Sequence, residues 1–289
     1  MTKIIINADD FGLNESVTRE TEKLIEERLI SSATIMANGT CLDEVRRFVR
    51  SHPAASFGIH FCLDEYASIT KNPVLSEYGI TDSAGCFIKG GIFTVTKFDE
   101  RLKEAIYKEL CAQVDTLLFL GISVSHADSH HLVHTRIQAL LPTFTSVFRK
   151  YEIRKVRIGE TYSFFGMMKR HLQHDGNTST RTSDSSTTVP INKGKNKIVR
   201  VLDFINSQHR QRVVNRYYKT CFSTTDSFFY YSGLLEKVKS HWSPADGSTF
   251  ELMCHPGHPS TDYQEEIKNI KEKALTRFLD YRLISYNDL

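Results

Sequence analysis

Ile4-Ile5-Ile6-Asn7-Ala8-Asp9-Asp10-Phe11-Gly12 is the stretch on which the fold turns. A continuous apolar run that stops at turn residues suits a strand buried on both faces, as in parallel sheets. Two carboxylates at its exit would then stand at the carboxyl end of a central strand, where α/β folds bind ligands. Neighbouring like charges are unfavourable there unless a metal or an arginine offsets them. The local alternative is a cap: Asp10 or Asn14 can terminate the helix that follows. This stretch alone leaves both readings open.

Working outward, Val17, Thr21, Leu24, Ile25 and Leu29 recur at helical spacing over 14–29. Residues 33–37 read as a second strand, 42–50 as a helix stopped near Pro53, and 57–61 as a third strand. The order βαβαβ implies a parallel sheet with right-handed crossovers. Residues 64–97 interrupt it with a long polar stretch, expected to help wall a cleft. Helices then follow at 98–119, 134–151, 199–217, 232–240 and 262–278. Between them come strands at Ile122–His126, Val156–Ile158, Cys221–Ser223, 249–254 and 282–285. Residues 172–198 are nearly free of apolar side chains and read as a mobile surface loop. Seven to eight βα units predict an α/β fold, a TIM-like (β/α) barrel that is distorted or incomplete. One barrel domain is expected over 1–289.

Composition sets bounds on function. A hydrophobic content of 40% over 289 residues supports a sizeable core. The balance of 37 basic and 34 acidic residues argues against a nucleic-acid surface. No stretch has transmembrane length, and the short apolar start does not read as a signal peptide. Six cysteines without a Cys-x-x-Cys read as reduced, mostly buried thiols of a cytoplasmic protein. A homo-oligomer is left open.

Four stretches carry chemistry, each after a predicted strand. They are Asp9-Asp10, Gly58-Ile59-His60-Phe61-Cys62-Leu63, the run from Ser125 to His134, and Cys254-His255-Pro256-Gly257-His258. A barrel gathers strand exits at one end, and converging carboxylates and imidazoles form a site for a divalent cation. Each piece has a plainer reading. His60 can be a hydrogen-bonded core residue and His255 a turn residue. His131 and His134 read as residues behind the ligands or at a helix start. His130 and His134 are spaced to share a helix face, as in a zincin pair, but a His-Glu-x-x-His general base is lacking. Phe11, Phe61, Tyr162, Phe164 and Phe165 are candidates for stacking on a sugar, although core packing is the commoner fate.

Together the four stretches resemble the YdjC-like carbohydrate deacetylases: Asn-Ala-Asp-Asp-Phe-Gly at 7–12, Gly-x-His-x-x-Leu at 58–63, Asp-Ser-His-His-x-Val-His at 128–134 and His-Pro-Gly at 255–257. The closing Arg282-Leu283-Ile284-Ser285-Tyr286 is similar too. The resemblance implies a distorted TIM-like barrel, one divalent metal ion (Mg, Zn or Co) and removal of N-acetyl groups from an amino sugar or short chitooligosaccharide. It implies Asp10, His60 and His130 as metal ligands, Asp9 as general base, His255 as general acid and Arg157 as the partner of Asp9. Asp128 would hold an imidazole in the right tautomer, with His134 behind the ligands. This chain has Leu132 where the family usually has a further His, and Gly159 where it often has Pro. Other metal-dependent hydrolases on the same barrel, and a non-catalytic sugar-binding barrel, are the alternatives; no candidate for a carboxylated lysine is present.

Overall fold

The computed structural model describes residues 1–160 and 197–289, with side chains from 206 onward in the second span. Its centre is β1 (Thr2–Phe11), buried at every position except Lys3. Burying each isoleucine side chain contributes about 1.5–3 kcal/mol. Strands β2 (Ser32–Ile35), β3 (Ser56–Phe61) and β4 (Ala127–Ser129) extend the sheet on one side of β1; β6 (Thr249–Cys254) and β5 (Ser227–Tyr230) extend it on the other. All pairings are parallel. β7 (Tyr281–Leu283) pairs with Thr2–Ile4, and β2 with Asn7–Phe11, so the two share one edge of β1. The curled parallel sheet is a half-barrel, a distorted form of the TIM barrel.

The described α-helices are α1 (Glu15–Glu26), α2 (Leu42–Ser51), α3 (Pro73–Glu77), α4 (Glu100–Phe119), α5 (Val133–Arg136), α6 (Leu141–Lys150), α7 (Lys197–Cys221), α8 (Tyr231–Lys239) and α9 (Thr261–Lys271). The cap of α1 is Asn14, whose side chain accepts from the Val17 amide at 3.0 Å. Asp10 is therefore not the cap.

Three predicted strands need correction. The ladder of β4 begins at Ala127, not at Ile122, although the Ser125 amide already bonds to Phe57 O at 2.8 Å. Val156–Ile158 makes only isolated bridges, Val156 to Ala127 and Lys155 to Ser223. At Gly159 the Asn215 side chain of α7 replaces a neighbouring strand: it accepts from Gly159 N at 2.9 Å and donates to Gly159 O at 2.7 Å. Cys221 ends α7, and the strand lies later, at Ser227–Tyr230.

The stretch 64–97 contains α3 and a 3-10 turn at Gly91–Thr94, and α4 holds it down. Buried Glu109 accepts from the amides of Ile69 and Thr70, both at 2.9 Å. The expected loop at 172–198 falls mostly outside the described residues, except where α7 begins. Of the cysteines, Cys62, Cys111 and Cys254 are buried, Cys86 and Cys221 exposed, and none is disulfide-bonded. No described helix is long and apolar enough to cross a membrane.

Candidate active site

Successive side chains of a regular strand point to opposite faces, so Asp9 and Asp10 should diverge. The register of β1 shifts between Ala8 and Phe11, and Asp10 takes φ 64°. Aspartate tolerates this left-handed conformation better than most residues. The irregularity lets both buried carboxylates serve one site.

Asp9 belongs to a cage around Arg157. The guanidinium grips it with a fork, Nη1 to Oδ2 at 2.6 Å and Nη2 to Oδ1 at 2.7 Å. Nη1 also meets Asp128 Oδ2 at 2.7 Å, and Nε donates to Glu251 Oε1 at 2.7 Å. Asn7 donates to Asp9 Oδ1 at 2.9 Å and to the Thr34 hydroxyl at 3.0 Å. Burial pushes the Asp9 carboxyl up, but the Arg157 charge and its hydrogen bonds outweigh burial and hold it below the usual carboxylate range. Asp9 is therefore ionised at neutral pH. Among the described residues, Oδ2 of Asp9 has the Arg157 hydrogen bond alone, whereas Oδ1 has two.

Asp10 has a different setting. Its Oδ1 stands 3.2 Å from His60 Nε2 and 3.0 Å from His130 Nδ1; its Oδ2 stands 3.0 Å from His258 Nε2. The second nitrogen of each of the first two rings faces another carboxylate. His60 Nδ1 meets Asp128 Oδ1 at 2.6 Å, and His130 Nε2 meets Glu65 Oε2 at 3.3 Å. A carboxylate on the far nitrogen is the arrangement that orients metal-binding imidazoles. The buried Nε2 of His60 has no hydrogen-bond partner among the described residues. With Nδ1–H donated to Asp128, that nitrogen presents a lone pair to the Asp10 oxygen, which a cation between them would reconcile. Donor atoms of Asp10, His60 and His130 lie within 4.8 Å of one another. This donor set fits a divalent ion. Without a cation there, Asp128, Asp9 and Asp10 outweigh burial and raise the pKa of His60 to about 10, so a proton takes the place on Nε2 that a cation would fill. The spot strongly favours positive charge.

His255 follows β6, and the register pairing Ala8 with Cys254 brings it beside Asp9. Its ring stacks on Tyr263, with centroids 4.3 Å apart. Nδ1 lies 3.8 Å from Glu266 Oε2, an ion-pair separation too long for a hydrogen bond. Burial pushes this imidazole down, but Glu266, Asp9 and Asp10 together hold it above its ordinary value. The turn needs Gly257: φ is +73°, and a Cβ there would lie 2.3 Å from Ser16 O. The Ser16 hydroxyl donates to Gly257 O at 2.8 Å, clamping this loop to the start of α1.

The family model described as YdjC-like protein matches residues 3–284. This chain belongs to the YdjC-like family. A Vibrio cholerae protein named carbohydrate deacetylase is 32% identical over 157 residues, covering 54% of this chain and 59% of the relative. A Geobacillus stearothermophilus protein of the same name is 30% identical over 155 residues, covering 53% and 59%. The matched stretch thus spans less than two thirds of these relatives' own length. A crystal structure from Enterococcus faecalis, provisionally named a cellobiose-phosphate cleavage protein, superimposes with a TM-score of 0.64. It covers 99% of this chain and 98% of its own at 22% identity, a likeness of fold.

In this YdjC-like chain His130 and His134 do not share a helix face. His131 and Leu132 take φ of 50° and 56° and break the turn between them. His134 is buried behind the site, bonded to Ser129 Oγ at 2.6 Å and Arg157 O at 3.0 Å. Burial lowers its pKa to about 3, so it stays neutral. His131 bonds to Asp64. His126 lies under the site, stacked on Tyr286. Phe11 and Phe61 are core residues, not sugar platforms, because neither reaches the surface. Tyr162, Phe164 and Phe165 lie outside the described residues. Sequence reasoning gave no role to Glu65, Glu251, His258 or Tyr286. His258 lies in the fourth stretch and Tyr286 in the closing motif, and Glu251 carried a local signal of its own, a lone acid inside the apolar strand Thr-Phe-Glu-Leu-Met-Cys.

Proposed function

We propose that this chain is a carbohydrate deacetylase that hydrolyses the N-acetyl group of an amino sugar or short chitooligosaccharide. Asp10, His60 and His130 would hold one divalent cation (Mg, Zn or Co), with Asp128 and Glu65 orienting the two imidazoles. The observation that carries the reading is the pairing of two adjacent carboxylates with opposite surroundings, Asp10 among imidazoles and Asp9 in the grip of Arg157. The relatives named carbohydrate deacetylase support it.

A cation bound there supplies Lewis acidity, polarising the acetyl carbonyl and lowering the pKa of water towards about 7. Asp9 is the general base: Arg157 keeps it ionised and aimed, and Oδ2 accepts the proton of the attacking water. A base so placed contributes about 10²–10⁴-fold. His255, held protonated by its acidic neighbours, gives its proton to the departing amine nitrogen. Tyr66, 40% exposed and with its ring 6.3 Å from that of His130, is a described aromatic placed to meet a sugar ring. Acetate release from diacetylchitobiose, measured after chelation and after adding back Zn, Co or Mg, tests the reading. Release that depends on the cation is expected. Tight sugar binding without release would instead favour a binding barrel.

A further inference from the structure

We infer that Glu251 and Tyr286 are positioning residues, which brace the Arg157 guanidinium from the side away from Asp9 and so aim the base. The inference rests on the reading of Asp9 given above. Arg157 has two competing carboxylates on its forked edge, because Nη1 is 2.6 Å from Asp9 Oδ2 and 2.7 Å from Asp128 Oδ2. A guanidinium held only there can swing from one acid to the other. Its Nε–H is a separate handle, and Glu251 Oε1 takes it at 2.7 Å. A planar donor group fixed on both edges has a single orientation.

Glu251 is itself held at both ends. Strand register sets its backbone, opposite Ile5 of β1 and Phe228 of β5. Its second carboxylate oxygen accepts from the Tyr286 hydroxyl. Tyr286 is fully buried and locked on several sides. Its ring stacks on His126 at 3.7 Å and 12°. Its amide donates to Ser56 Oγ at 3.1 Å, and Lys155 Nζ donates to its carbonyl at 2.5 Å. His126 has its own fixed place, with Nδ1 2.8 Å from Ser125 Oγ and Nε2 3.2 Å from Asn7 Oδ1. Gly58 leaves room for that ring, since a Cβ there would come within 2.7 Å of it. A continuous set of contacts therefore runs from the segment after β7 to the base, through Tyr286, Glu251 and Arg157.

The test is Tyr286→Phe in the full chain, which keeps the ring on His126 and removes only the hydroxyl. Two measurements decide it. The first is the ¹⁵Nε–¹H signal of Arg157, assigned by its loss in Arg157→Lys. It should shift, and its exchange with solvent should speed up by about tenfold or more. The second is acetate release, where kcat should fall about tenfold out of the 10²–10⁴ a positioned base contributes, with KM within about twofold. Glu251→Ala should give a larger loss in the same direction. An Arg157 signal unchanged in both position and exchange overturns the brace. So does unchanged turnover by an active Tyr286→Phe enzyme, or a fall in kcat matched by general loss of folded signal. If the wild-type chain releases no acetate, the deacetylase reading fails, while the Arg157 signal still decides whether the brace exists.

Discussion

Arg157 and Asp10 are each enclosed by groups of opposite sign, and the two enclosures close differently. Around Arg157, Asp9, Asp128 and Glu251 answer each part of the guanidinium at 2.6–2.7 Å. Around Asp10, His60, His130 and His258 stand at 3.0–3.2 Å, and the Nε2 atoms of His60 and His258 are buried without a hydrogen-bond partner among the described residues. In the first enclosure every guanidinium nitrogen has an acid as hydrogen-bond partner; in the second, those two imidazole nitrogens lack such a partner. On the proposed reading the first would hold the base and the second the cation. A buried group with its polar neighbours satisfied usually belongs to the scaffold, whereas an unsatisfied one needs an explanation.

The comparison breaks most visibly at Arg157. Arg157→Met would leave buried carboxylates without their cation, which typically costs about 3–5 kcal/mol. Urea unfolding should show that loss, and turnover should vanish with it. A variant as stable as the wild type would mean that the cage is not a scaffold. Asp9→Asn comes next: turnover should fall about 10²–10⁴-fold, while calorimetry finds cation affinity kept. Substantial activity in this variant would move the base elsewhere. At the ring around Asp10, His130→Ala should lose cation affinity by more than about 100-fold, whereas His134→Ala should stay within about tenfold. The reverse result would reassign the ligand.

The smallest effect concerns pH. Burial raises Glu251 from 4.5 to about 7, more than Arg157 and Tyr286 lower it. A carboxyl that binds its proton more tightly when folded adds stability below its unfolded value and loses that contribution as pH rises through the folded one. The stability of the wild type relative to Glu251→Gln should therefore decline between pH 4.5 and about 7. A difference that is flat across this window would show that the folded chain does not hold the Glu251 proton more tightly.

The half of the site that lies on strand exits was legible in the sequence. Asp9, Asp10, His60, His130 and His255 each follow an apolar run, and period and turn residues mark such places locally. The rest depends on pairings that no local pattern encodes. Val156–Ile158 has the composition of a strand, yet an asparagine from a helix 56 residues on takes up the hydrogen bonds of Gly159. Glu251 meets Tyr286 only because β6 and β7 both dock on β1. His130 and His134 have helical spacing, and two left-handed residues between them cancel it. Phe11 and Phe61 looked available for a sugar because composition cannot tell a rim aromatic from a core one.

The placement of β1 has a consequence for synthesis. Its partner β6 lies roughly 245 residues further along and β7 roughly 280, which at about 5–20 residues per second is a delay of about 12–55 s on the ribosome. For that interval the triple-isoleucine strand lacks β6 on one edge, and β7 beside Ile4 on the other. Chaperone demand, and any aggregation of nascent chains, should therefore concentrate in the period before β6 emerges.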